Sequence, residues 1–99
     1  MSDRFTKWRG LANHFEKLRL DFIRTDLEVC FTFVDIVKTE YAMGNLDHAE
    51  RTLAQAEKGY STLCRLMAQT KGLQQETQNE LQARIERLRE RLDGLKQPR

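Results

Sequence analysis

Proline is nearly absent from this chain, occurring once at Pro98, and glycine is confined to Gly10, Gly44, Gly59, Gly72 and Gly94. So few breakers, with little alternation of β-branched and polar residues, exclude a turn-rich β fold and predict an all-helical one. No two glycines come within ten residues of each other, so no glycine-rich phosphate loop is present. Histidine is limited to His14 and His48 and cysteine to Cys30 and Cys64, too few for a zinc site. Neither histidine has a glutamate three residues before it, where Leu11 and Asn45 stand, so the Glu-x-x-His pairs of di-iron bundles are missing. No apolar run approaches membrane-spanning length, and MSDRFTKWRG lacks the apolar centre of a secretion signal. The expectation is a cytoplasmic chain with no membrane partner and no cofactor.

What the chain does have is charge and apolar periodicity. Charged residues make up 32% of its 99 residues with a net charge of only +2, too balanced to imply a nucleic-acid or membrane partner. The length allows one domain with a single modest core, and four helices are expected, over roughly 3–23, 25–43, 46–69 and 73–95, with a frayed tail at 96–99.

The first helix, capped by Ser2, places Phe5, Trp8, Leu11, Ala12, Phe15, Leu18 and Phe22 on one stripe, which is read as its buried face. Leu20 and Ile23 fall off that stripe, and Gly10 interrupts it. The second helix is expected to start at Thr25-Asp26-Leu27-Glu28, a capping-box pattern. Leu27, Cys30, Phe31, Val34, Val37 and Tyr41 gather on one of its faces and Val29, Phe33, Ile36 and Met43 on another. Glu28, Thr32, Asp35 and Thr39 form its only polar strip. A helix apolar on most of its circumference belongs at the centre of the fold.

Gly44 supplies a left-handed stop and Asn45 a cap for the third helix, whose face carries Ala49, Thr52, Leu53, Ala56, Tyr60, Leu63, Cys64 and Met67. Ala49, Ala56 and Gly59 permit close approach of a neighbouring backbone. Gln69-Thr70-Lys71-Gly72 is read as a short connection. The last helix carries Leu81, Ile85, Leu88, Leu92 and Leu95 at 4-3-4-3 spacing.

Around the turn, Gly44-Asn45-Leu46-Asp47-His48-Ala49, followed by Leu53 and Ala56, resembles the middle of a tetratricopeptide repeat, with Ile36 at an apolar position of the preceding helix. The family's small residue in the first helix falls on Val37, its aromatic on Glu40 and its closing proline on Ser61, all departures. No second copy occurs at the repeat spacing. The resemblance therefore implies a helical hairpin and carries over no binding residues. Together these readings predict an all-α, antiparallel four-helix bundle with a tetratricopeptide-like central hairpin.

Catalysis finds no support in the pattern. Both cysteines are expected on core faces, away from the histidines, and no nucleophile, base and orienting group share a face. From Leu81 onward, six basic residues (Arg84, Arg87, Arg89, Arg91, Lys96, Arg99) oppose three acidic ones (Glu86, Glu90, Asp93), a net +3. Residues 25–43 carry four acidic residues against Lys38, a net −3. Pairing of the last helix with its own copy sets arginines opposite arginines, so its seam is expected to fold back onto the chain's own core. Glutamates interrupt the arginines and no aromatics interleave, which disfavours nucleic acid. The expected function is a non-catalytic protein–protein interaction module, self-association included, with Arg84, Arg87 and Arg91 as candidate contact residues. The alternative is a small nucleic-acid-associated regulator using those arginines.

Overall fold

The computed structural model describes residues 2–96, without the side chains of residues 2–9, 12 and 13. The tail expected to fray, beyond Lys96, lies outside the described residues. Three helices follow one another: α1 (Ser2–Ala42), α2 (Leu46–Gln69) and α3 (Gln75–Lys96). The chain is all-helical, but the four-helix bundle is not formed.

The correction falls at Arg24-Thr25, where a boundary between two helices was expected and α1 runs straight through. The physical reason lies in the residues on either side. No glycine or proline occurs between Gly10 and Gly44. Ile23, Leu27, Cys30, Val34 and Val37 form one uninterrupted 4-3-4-3 row, all buried. Breaking the helix at Thr25 would sever that row. Keeping an exposed threonine inside a helix costs only about 0.5 kcal/mol. The capping-box pattern is outweighed by the packing.

α1 ends where glycine allows it. Gly44 has φ +80°, the Gly44 N–H donates to the Tyr41 carbonyl at 3.1 Å, and the Asn45 N–H donates to the Glu40 carbonyl at 2.9 Å. This pair of bonds is the Schellman closure. Asn45 was expected to cap α2 with its side chain and does not. Its Nδ2 instead donates back to Glu40 Oε2 at 2.8 Å, and His48 Nδ1 lies 3.5 Å from the other oxygen of the same carboxylate. The hairpin is thus pinned across its turn.

α2 then runs back along α1. Ala49, Ala56 and Leu63, each seven residues apart, are fully buried. Gly59 is pressed so closely to α1 that a Cβ there would sit 2.5 Å from Cys30 Sγ, which explains a helix-disfavouring residue in mid-helix. α2 stops beside Arg19, whose Nη1 donates to the Gln69 carbonyl at 3.2 Å. A short connection through Gly72, at φ +78°, follows. α3 starts near Arg24, which pairs with Glu80 at 2.8 Å, and runs parallel to α1. Its row Leu81, Ile85, Leu88 and Leu92 is buried against the chain's own core.

The three helices are unequal. At about 1.5 Å per residue α1 is some 62 Å long, and α2 and α3 are near 35 Å. The molecule measures 65 × 22 × 15 Å with a radius of gyration of 17.5 Å, against about 13 Å for a compact chain of this size. Residues 2–18 of α1 therefore form an arm, roughly 25 Å long, that projects past the end of the three-helix body.

Candidate interaction surface

The arm reverses the sequence-based assignment of buried and exposed faces. Leu11, Phe15, Leu18 and Phe22, read as the buried stripe, are 47, 61, 50 and 55% exposed. Ile23, read as lying off that stripe, is completely buried, and Leu20 packs against the core. The spacing was correct and the covering was not, because α2 and α3 approach α1 on the neighbouring face and end before the arm begins.

Continuity of α1 joins two apolar faces that the sequence pattern assigns to separate helices. At 100° per residue, Leu11, Phe15, Leu18, Phe22, Val29, Phe33 and Ile36 fall within a sector about 60° wide, whereas the core row centred on Cys30 lies roughly 110° round the helix. Val29 is exposed, and Phe33 and Ile36 are half-buried. Phe33 and Ile36, with His48, Arg51, Thr52 and Gln55 of α2, line an open groove of about 560 Å³ between α1 and α2. The groove and the arm form one surface along the length of α1. Asp26 interrupts it beside Phe22, and partial burial pushes the Asp26 carboxyl above its usual range. Scattered exposed apolar residues are ordinary on a protein; four large ones in a row on one face are not.

The candidate arginines, at i, i+3 and i+7 of α3, share one face of that helix. Arg84 and Arg87 border a shallow depression that Ala83, Glu86 and Glu90 also line. Arg91, one turn beyond Arg87, has its guanidinium 5.3 Å from the centre of the Phe31 ring on α1. Arg89 is held more firmly: it makes two 3.0 Å bonds to the Glu57 carboxylate and a 2.7 Å bond to Asp93. Its guanidinium stacks over Tyr60 at 4.8 Å. Hydrogen bonding by Arg89, assisted by Lys96, holds the Glu57 carboxyl down at about 2, against the effect of burial. This cluster ties α3 to α2. Sequence spacing did not reveal it, since Glu57 and Arg89 are 32 residues apart on different helices.

The cysteines separate as well. Cys30 is buried and Cys64, expected on a core face, is exposed. Burial, reinforced by Asp26, pushes the Cys30 thiol up to about 11. Glu28, Thr32, Asp35 and Thr39 are all exposed, with Thr32 and Thr39 hydroxyls donating to the Glu28 and Asp35 carbonyls at 3.0 and 3.1 Å. Among the described residues no three or more His, Cys, Asp or Glu side chains converge on a metal-sized site, and no helix is long and apolar enough to cross a membrane. Compared with protein families, with curated proteins and with solved structures, this chain matches none.

Proposed function

We propose that this protein is a non-catalytic helical module that works through protein–protein contacts, and that its contact surface is the apolar stripe of α1. The observation that carries the reading is the row Leu11, Phe15, Leu18 and Phe22, each 47–61% exposed on a face of α1 that neither α2 nor α3 covers. Water contact along such a row is unfavourable by about 25 cal/mol per Å² of apolar surface, so a partner helix laid along it gains that free energy. The short body serves to hold the arm's helix in register. Free thiols at Cys30 and Cys64 fit a reducing, cytoplasmic setting. The tetratricopeptide-like spacing around Gly44 enters only as a resemblance of hairpin geometry.

The alternative, a nucleic-acid-associated regulator using Arg84, Arg87 and Arg91, draws less support. The arginines share one face of α3, but the Arg91 guanidinium lies over the Phe31 ring and Glu86 and Glu90 line the same depression as Arg84 and Arg87, which dilutes the positive charge. A photo-crosslinking residue placed at Phe15, at Asp35 or at Arg87 in the native cell separates the two. Protein adducts from position 15 but not 35 are expected. Adducts chiefly with nucleic acid, through position 87, would overturn the reading.

A further inference from the structure

We infer that the occupant of the exposed α1 row Leu11, Phe15, Leu18 and Phe22 is the same row of a second copy of this chain, running antiparallel. The inference rests on the reading of α1 as the contact surface and adds the partner's identity and direction.

The register follows from the stripe itself. Leu11, Phe15, Leu18 and Phe22 repeat at 4-3-4, the spacing of one seam of a two-helix pair. A two-fold axis midway between residues 15 and 18 sets Phe15 against Leu18 of the second copy and Leu11 against its Phe22. Each layer then joins one ring to one leucine, and each of the four positions is covered. A parallel pair stacks ring on ring at both Phe15 and Phe22.

Charge at the edges of the seam selects the same direction. In the antiparallel pair, equivalent edges of the two helices face each other, so His14 meets Asp21 of the second copy, and by symmetry the contact occurs twice. In the parallel pair opposite edges face each other, and Asp21 meets Asp26, a like-charged contact beside a carboxyl that burial already disfavours as an anion.

Shape agrees with both. The bodies begin beside Arg19 and extend toward Ala42, so an antiparallel pair centred between residues 15 and 18, where the arm meets the body, carries its two bodies to opposite ends. Neither body obstructs the other. The first turns of each arm then run alongside the Thr25 to Val29 stretch of the second copy, where Val29 is exposed and continues the same face. A surface that pairs with itself about a two-fold axis closes after two chains.

The test uses the full chain. Light scattering should give a mass twice the 11.7 kDa of one chain, and Phe15→Glu combined with Leu18→Glu should return it to one chain with unchanged helical circular dichroism. Both side chains are exposed in the monomer, so the substitution leaves the core intact. Direction is read separately by a spin label on Lys38→Cys, with Cys64→Ser to remove the exposed thiol. In the antiparallel dimer the two labels lie about 60 Å or more apart, and in a parallel dimer within about 30 Å. A monomer at millimolar concentration, a dimer that survives the double substitution, or closely spaced labels each overturn the inference. Should the chain be monomeric while position 15 still crosslinks to another protein, the dimer is wrong and the contact surface stands. Should position 15 crosslink to nothing, the contact surface itself is wrong.

Discussion

The two halves of α1 are built alike and live differently. Residues 11–22 carry Leu11, Phe15, Leu18 and Phe22; residues 23–37 carry Ile23, Leu27, Cys30, Val34 and Val37, at the same alternation of three and four. The first row is exposed and the second is the core. The difference between them lies in which face α2 and α3 approach: the two rows sit about 110° apart round α1, and Phe22 and Val29 stay exposed even alongside the body. It teaches that periodicity identifies which face of a helix is apolar, while the placement of the neighbouring elements decides what covers it.

The sharpest way to break the comparison is to truncate one residue of each row. Leu27→Ala removes a fully buried side chain and is expected to cost about 2–5 kcal/mol, measured by urea unfolding. Phe15→Ala removes a larger one from the exposed row and is expected to leave the monomer within about 0.5 kcal/mol, tested at concentrations low enough to dissociate any dimer. Equal losses at the two positions would place Phe15 in a core after all.

Next in size is Gly59→Ala, which drives a methyl group into Cys30 Sγ. A loss of about 1–3 kcal/mol is expected despite alanine's better helix propensity, and Cys30→Ala in the same chain should recover much of it. Glu57→Gln should cost about 1 kcal/mol at neutral pH. The Glu57 carboxyl is depressed from 4.5 to about 2 in the fold, so its contribution is complete above pH 4.5 and is lost as pH falls from there through about 2. The Gln variant should therefore show a flatter acid limb in stability measured against pH. The smallest perturbation is chemical: in the native state a thiol reagent should modify Cys64 and leave Cys30, whose thiol is buried and held near 11, until the chain unfolds.

Much of the body was legible in the sequence. Gly44 does end α1, α2 occupies Leu46–Gln69 as its spacing indicated, and the leucine row of α3 does turn inward. These features depend on local chemistry, a left-handed glycine or an amphipathic period, and the residues concerned carry it themselves. The division of α1 at Thr25 was misread because a capping box is a permissive signal, equally compatible with a helix interior when the flanking rows continue. Cys64 was misplaced because it lies at the edge of α2's apolar face, where a small change of helix rotation decides burial. The contact stripe was visible as a pattern in two pieces, and only the unbroken helix makes it one surface. The Glu57–Arg89 clamp carried no local signal at all.

The central claim is that α1 is one helix whose first half stands clear of the body. Spin labels on His14→Cys and Lys38→Cys of a single chain test it, with Cys64→Ser and with Phe15→Glu and Leu18→Glu to exclude contacts between chains. An unbroken α1 predicts a backbone separation of about 36 Å between those positions. A separation near 10–15 Å, as expected for helices folded against each other across Arg24-Thr25, would contradict it and restore the four-helix bundle.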